Sequence, residues 1–145
     1  MAAGDFIKFN KTLEAIWEGK INVAADTLKF ALTNTAPTAA TDTDFLPGTL
    51  HPPPAAVNGY TTGGHAATIA SHAETGGTFT LACTTDVVIT ATAGGIGPFR
   101  YVILYDDTAA NDQVISYYDY GSSITLTVAG ETFTVDVTAS LWTQT

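Results

Sequence analysis

The spacing of apolar residues changes once along the chain, near residue 19. Before that point apolar side chains recur every three or four residues, which predicts an amphipathic helix ended by Gly19; its apolar members are Phe6, Phe9, Leu13, Ile16 and Trp17. After that point apolar and polar residues alternate, as they do in strands half-buried against a core. We therefore expect one short N-terminal helix followed by β structure.

Seven segments are predicted to be strands. Five alternate, with inward-facing residues Leu28/Phe30/Leu32, Phe79/Leu81/Cys83, Val87/Ile89/Ala91, Ile124/Leu126/Val128 and Phe133/Val135/Val137. In the first of these, Lys29, Ala31 and Thr33 are expected to face outward. Residues 99–105 and 113–120 are apolar on nearly every position and predict central strands covered on both sides. Short strands separated by Gly, Asn and Asp turns predict a mainly β fold, an antiparallel β-sandwich.

Residues 37–64 interrupt this alternation. They contain five of the six prolines, and the three consecutive prolines at 52–54 favour an extended polyproline conformation. An irregular segment of this length predicts either a functional loop or a loop that rests on a neighbour. We therefore predict that its apolar residues Phe45, Leu46 and Leu50 contact a partner chain. Residues 1–145 are interpreted as one β-sandwich domain, with an N-terminal arm at 1–20 and this proline-rich excursion at 37–64.

Charged residues are scarce and unevenly distributed. The 145 residues include 5 basic and 14 acidic side chains, a formal net charge of −9, and only 13% are charged. All four lysines lie in the first 29 residues, and Arg100 is the only base after them. So few bases exclude direct binding of nucleic acid, which needs cations to replace the counterions of phosphate. No apolar run reaches the length of a membrane span.

Candidate chemistry is sparse. Asp106, Asp107 and Asp112 supply oxygen ligands between two predicted strands and form a weak calcium candidate, but the glycine and distal glutamate of the standard calcium loop are missing, which favours a hairpin loop. The three histidines and Cys83 lack the close pairs that build zinc sites. No nucleophile motif occurs. We predict a protein without enzymatic activity, cofactor or resident metal.

The lack of lysine after residue 29 has a consequence for assembly. Lysine commonly protects the open edges of sheets against other strands, so we expect these edges to be covered by the proline-rich excursion or by neighbouring copies. The arm at 1–20 is a second candidate contact because it holds most of the basic residues. Its predicted partner-binding residues are Phe6, Lys8, Phe9, Lys11 and Trp17, although an amphipathic stripe also commonly covers its own core.

Five sequence blocks resemble small virion structural proteins of tailed bacteriophages. They are DTLKFALTNTAPT at 26–38, NGYTTGG at 58–64, GIGPFRY at 95–101, DYGSS at 119–123 and GETFTV at 130–135. The resemblance implies a non-enzymatic capsid decoration (cement) protein that binds the outer face of the major capsid shell. Its implied partners are the major capsid protein and neighbouring copies of itself, with a homotrimer suggested by analogy, and its implied location is the virion, assembled in the bacterial cytoplasm.

Two alternatives stay open at the level of sequence. The first is a tail tube, fibre or baseplate component, since an acidic surface also suits a conduit that must not bind DNA. The second is a carbohydrate-binding β-sandwich module in which Trp17, Trp142 or the tyrosines at 117–120 provide stacking platforms.

Overall fold

Ten strands and one helix lie within residues 6–45, 50–55, 57–137 and 140–145, which the computed structural model describes. Short strands joined by Gly- and Asn-containing turns dominate, as the period-two alternation predicts. The elements in chain order are β1 Ile7–Lys8, α1 Thr12–Trp17, β2 Leu28–Thr33, β3 His65–Ala66, β4 Ile69–Thr75, β5 Thr78–Cys83, β6 Val87–Thr90, β7 Ile96–Asp106, β8 Val114–Leu126, β9 Thr132–Val135 and β10 Trp142–Gln144.

The main core lies between one large sheet and two small ones. The large sheet has the order β1-β8-β7-β2-β3, and the small sheets are β10-β5-β4 and β6-β9. Every described strand pair is antiparallel. Phe30 and Phe99 of the large sheet share a buried cluster with Leu81, Ile89 and Val135 of the small sheets. The structure thus confirms the predicted mainly β, antiparallel fold with sandwich-like layers.

Strand β2 is buried on both faces, which corrects the half-buried strand predicted from its alternation. Ala31 and Thr33 were expected to face outward, yet both are fully buried. The reason is position, because β2 lies inside the large sheet between β7 and β3. A second buried cluster, which contains Ala31 with Phe9 and Phe45, covers the face of the sheet opposite the main core.

The N-terminal helix is shorter than its apolar stripe. The stripe predicts a helix from Phe6 onward, but α1 begins at Thr12 and the residues before it form strand β1. Strand β1 pairs with β8 at Tyr117 and Ser116, and the Phe9 amide donates to the Ile115 carbonyl at 3.2 Å. Pairing with β8 therefore overrides the local helical period.

Strand β8 joins two predicted strands into one. The sequence predicts separate strands at 113–120 and around Ile124, whereas β8 spans both and continues through Gly121 for 13 residues. Gly121 adopts φ +92°, a conformation that glycine accepts without strain, so the strand need not end there. Strands β7 and β8 thus form one long hairpin that reaches from the Asp106 loop to Leu126.

Part of the proline-rich excursion covers the outer face of the large sheet. The Phe45 amide donates to the Asp112 carbonyl at 2.7 Å, and the Val114 amide donates to the Thr43 carbonyl at 3.0 Å. The Phe45 ring stacks on Tyr105 with centroids 4.4 Å apart. The described part of this loop therefore rests on a face of its own chain's large sheet, whereas the sequence led us to expect it at the edges of the sheets.

Candidate attachment surface

An apolar groove lies between α1 and the three-stranded sheet. It encloses about 470 Å³, and its walls include Leu13 and Trp17 from the helix, and Phe79 and Trp142 from β5 and β10. We call this feature the Trp17 groove. Trp17 is 83% exposed, whereas an apolar side chain of that size usually buries most of its surface in a core. An exposed indole beside apolar walls is typical of contact surfaces between proteins.

The orientation of Trp17 follows from how α1 is held. Thr12 is buried and its hydroxyl lies 3.0 Å from the carbonyl oxygens of both Val114 and Ile115, to which it donates. Ala15 is also buried, so this side of the helix packs against β8. Because residues four apart share a helix face, Leu13 and Trp17 lie together on the opposite side. The sequence of α1 thus directs the indole outward.

Aromatic packing builds the opposite wall of the groove. The rings of Phe79 and Trp142 meet edge to face at 5.9 Å, and the Lys8 ammonium lies 5.6 Å from the centre of the Trp142 ring. Lys8 also donates to the Thr143 carbonyl at 2.8 Å. Lys8, predicted to bind a partner, therefore connects the N-terminal strand to the C-terminal strand.

The remaining lysines form ion pairs with nearby acids. Lys11 lies 2.6 Å from Glu14, and Lys20 lies 2.6 Å from Glu18. The Lys11 ammonium lowers the pKa of Glu14. Because nearby acids balance these charges, the basic residues that made the arm at 1–20 a candidate contact are less available to a partner. Apolar contact through Trp17 is therefore the better-supported mode for this region.

Three of the predicted contact residues are buried, which corrects their assignment to a partner surface. Phe6, Phe9 and Phe45 are 8%, 2% and 1% exposed. Phe6 packs against Phe30 and Tyr118, so it belongs to the main core. Lys11, Trp17 and Leu50 are exposed, and Leu46 lies outside the described residues.

The acidic loop between β7 and β8 is a hairpin loop, as the sequence favoured. Asp106 Oδ1 accepts hydrogen bonds from the Thr108 and Ala109 amides at 2.9 and 3.1 Å. Asp107 pairs with Lys29 at 2.7 Å. Among the described residues, no three His, Cys, Asp or Glu side chains form a group suited to a metal ion. The weak calcium candidate at Asp106, Asp107 and Asp112 is corrected accordingly, because the Asp106 carboxylate accepts loop amides and the Asp107 carboxylate pairs with Lys29.

A polar groove of about 700 Å³ adjoins this loop and includes Asp26, Asp44 and Gln113 in its lining. Asp106, two residues before the Thr108 that lines this groove, is fully buried and does not line the groove itself. Burial, followed by contact with Asp26, raises the pKa of Asp106 to about 6. A perturbed acid near a groove is a feature of many catalytic sites, but the Asp106 carboxyl is enclosed and shapes its own loop, which favours a structural role.

Sequence reasoning missed the wall that Phe79 and Trp142 form. Trp142 is only 5% exposed, which corrects its assignment as a stacking platform for carbohydrate. The period of β5 places Phe79 on a strand, but no sequence signal indicates that the three residues of β10 pair beside it. Tyr120 is 40% exposed and Trp17 is 83% exposed, so these two aromatics are the ones best placed to meet a ligand or partner.

Comparisons with known proteins yield no match, whether with family models, with curated proteins or with solved structures. The resemblance of the sequence blocks to phage virion proteins therefore stays a prediction. No helix among the described residues is both long and apolar enough to cross a membrane.

Proposed function

We propose that this chain is a non-enzymatic structural protein of a tailed-phage virion, a decoration subunit that attaches to the outer face of the capsid shell. The observation that carries the proposal is the Trp17 groove, where a rigidly held helix presents an indole to solvent beside apolar walls. Tryptophan contributes strongly to binding when a partner desolvates it. The sequence resemblance supplies the identity of the partner, a capsid protein.

The mechanism is adhesion. A protruding segment of the capsid protein fills the groove and covers Trp17, while the surrounding polar residues form the rim of the contact. A single contact of this kind is weak, but repetition over a shell allows many copies to resist internal pressure together. The low content of charged residues suits a surface that is covered in the finished particle.

The test compares Trp17→Ala with Val128→Ala in binding to capsid shells that lack the protein. Both side chains are exposed apolar groups, at 83% and 57%, but Val128 lies outside the Trp17 groove. We expect Trp17→Ala to weaken binding at least tenfold, a typical loss for a central tryptophan, and Val128→Ala to bind like the unmodified chain. Equal binding by the two variants would overturn the assignment of the groove.

Point substitution is a sharper test than removal of residues 1–20. That deletion removes Phe6 and Phe9, whose rings are buried in the two core clusters, so it would damage the fold together with the surface. The number of copies in purified particles separates the capsid from the tail. Hundreds of copies per virion support decoration, whereas a few to a few dozen would favour a fibre or baseplate component.

A carbohydrate-binding module is the second candidate function, favoured by one observation. The exposed Trp17 indole lies in the same groove as the amide side chains of Asn22 and Gln144, and a flat aromatic beside hydrogen-bonding amides suits a sugar ring. A glycan array distinguishes the two proposals. Binding of a glycan that is lost in Trp17→Ala would favour the module, and a blank array would remove it.

A further inference from the structure

The wall of the Trp17 groove is uncharged in the part of the chain that the structure describes. It consists of glycine and apolar residues together with the amide side chains of Asn22 and Gln144. None of the 14 acidic side chains that give the chain its net charge of −9 lines this groove. A segment of a partner that enters the groove therefore meets no carboxylate on the wall, and an acidic segment is not repelled there.

One positive charge lies beside the β10 wall of this groove. The Lys8 ammonium is 5.6 Å from the centre of the Trp142 ring and 3.4 Å from Gln144 Oε1, and both of these residues line the groove. Lys8 also donates to the Thr143 carbonyl at 2.8 Å, and its side chain is exposed. An ammonium group has three N–H donors, so these two oxygen acceptors leave one donor for a partner.

Lys8 differs from the other lysines and the arginine because it forms no ion pair among the described residues. The others each lie 2.6 or 2.7 Å from a carboxylate oxygen, and they are Lys11, Lys20, Lys29 and Arg100. The contacts of Lys8 are a main-chain carbonyl, a side-chain amide oxygen and an aromatic ring. A carboxylate placed beside Lys8 would therefore gain an ion pair without breaking an existing one.

We propose that the Trp17 groove binds a protein segment in which an apolar side chain lies next to an aspartate or glutamate. The apolar side chain covers the Trp17 indole, and the carboxylate accepts a hydrogen bond from the Lys8 ammonium beside Trp142. Charge complementarity selects an acidic segment, because a basic one would face the unpaired charge of Lys8. This inference rests on the proposed function, since it takes the Trp17 groove as the attachment surface, and it specifies the chemistry of the attached segment.

The open shape of the groove favours a protein segment over a fatty-acid anion, which also combines an apolar chain with a carboxylate. Sites for small molecules usually enclose most of their ligand. Trp17 is 83% exposed and Leu13 is exposed as well, so the helix wall of the groove faces solvent. A tryptophan in this position is desolvated most completely by the surface of a larger partner.

The first experiment measures the binding of two labelled peptides to the full chain by fluorescence anisotropy. Both peptides have a Leu-Phe-Leu centre, flanked on each side by glutamate in one peptide and by glutamine in the other. We expect Trp17→Ala to weaken the binding of both peptides at least tenfold. Lys8→Met, which keeps an unbranched apolar side chain, should weaken only the glutamate peptide, by about fivefold, the upper range for an exposed ion pair. Lys8→Arg should retain binding of that peptide.

Lys11→Met is the matched control for the loss of one positive charge. Lys11 is exposed, already pairs with Glu14 and does not line the Trp17 groove. We expect this variant to bind the glutamate peptide like the unmodified chain. The proposal would be overturned if the unmodified chain showed no saturable binding of the glutamate peptide, or if Lys8→Met and Lys11→Met weakened that binding equally.

Two rival occupants are tested with the same variants. Binding of decanoate that is lost in Trp17→Ala, with no binding of either peptide, would assign the groove to a fatty acid and overturn the proposal. Sedimentation that showed a dimer of the unmodified chain, lost in Trp17→Ala, would assign the groove to a second copy and would also overturn it. We expect decanoate not to bind and the chain not to associate through this groove.

Capsid shells that lack the protein separate this inference from the proposed function. We expect both Trp17→Ala and Lys8→Met to attach to such shells more weakly than the unmodified chain. If Trp17→Ala weakened attachment and Lys8→Met did not, the acidic segment would be wrong and the capsid proposal would be kept. If the glutamate peptide bound as expected but the unmodified chain did not attach to shells, the capsid proposal would be wrong and the chemistry of the partner segment would be kept.

Discussion

The carboxyl group of Asp106 lies at the end of β7 with none of its surface exposed. One of its oxygens accepts the two amide bonds that form the following loop, and the other has no hydrogen-bond donor in the structure. Desolvation and the neighbouring Asp26 carboxyl both penalise its charged form. At the scale of single residues, the ionisation of this acid therefore opposes folding.

We expect Asp106→Asn to stabilise the protein at pH 7.5 but not at pH 5. The pKa of Asp106 rises from 3.8 to about 6 on folding, so the stabilising contribution of its proton is present below pH 3.8 and is lost as pH rises through 6. Asparagine keeps an acceptor for the loop amides and carries no charge. Because about half of the contribution of the proton is already lost at pH 5, the difference in unfolding free energy between variant and unmodified chain should grow by about 1.4 kcal/mol between pH 5 and pH 7.5.

Urea unfolding at the two pH values measures that difference. The titration of groups that do not contact Asp106 is common to both proteins and cancels. Glu74→Gln, which removes an exposed carboxylate on β4, serves as the control for the loss of one negative charge. If Asp106→Asn changed the free energy of unfolding by the same amount at both pH values, the prediction would be contradicted.

Gly64 illustrates how closely one backbone approaches another. It has φ +83°, and a Cβ atom there would lie 1.9 Å from the Phe30 carbonyl oxygen. We expect Gly64→Ala to lose about 3 kcal/mol or more of unfolding free energy, because backbone strain adds to a main-chain clash. Gly76→Ala is the matched control, since Gly76 has φ +61° and open space around its Cβ position; it should lose only about 1 kcal/mol. Thermal unfolding compares the two, and equal losses would contradict the clash.

At the scale of elements, the outer face of the large sheet depends on a segment with almost no regular structure. Phe45 stacks between Tyr105 and His51, with ring centroids 4.4 and 5.9 Å away. Gln113 donates from its side chain to Asp44, beside the isolated bridge between these two residues. The loop is therefore part of the folded core and not an appendage.

We expect Phe45→Ala to reduce the free energy of unfolding by about 3–5 kcal/mol, the usual cost of removing a buried phenylalanine. Leu50→Ala, in the same loop but 45% exposed, should change it by less than about 0.5 kcal/mol. Denaturant titration measures both values. Similar small effects for the two variants would indicate that the loop does not stabilise the sheet.

At the scale of the whole molecule, a net charge of −9 opposes every association between copies. Salt screens such repulsion over distances of about 10 Å at 0.1 M ionic strength. The same repulsion acts among the acidic side chains of one folded chain, where it opposes the compact state. The stability of the fold should therefore respond to salt through the overall charge of the chain.

We expect the free energy of unfolding to rise when sodium chloride is raised from 20 to 500 mM, because salt screens the repulsion among the acidic side chains of a chain with net charge −9. Urea unfolding at the two salt concentrations measures the change. A chain that loses stability in high salt would indicate that its ion pairs contribute more to stability than the general repulsion removes.

The sequence predicted those elements whose signals are local. The alternation at Phe79/Leu81/Cys83 and Phe133/Val135/Val137 predicted strands that the structure confirms as β5 and β9, because a half-buried strand must place apolar side chains on one face. The acidic hairpin loop and the mainly β fold were also predicted, because turn residues and strand alternation are local signals as well. The short strands β1 and β10 were not predicted, since a strand of two or three residues is too short to show an alternation of apolar and polar positions.

Tertiary structure decided which apolar residues belong to the core. Phe6, Phe9 and Trp17 share one apolar stripe, yet the first two are buried and the third is 83% exposed. Phe6 and Phe9 flank strand β1, which pairs with β8, and they therefore lie outside the helix that carries Trp17. The amino-acid order alone determined that the chain forms strands and that it has few charged residues to keep the edges of its sheets from pairing with other strands. Which edges stay open and which side chains reach solvent depended on contacts between residues far apart in sequence, and no local pattern records such contacts.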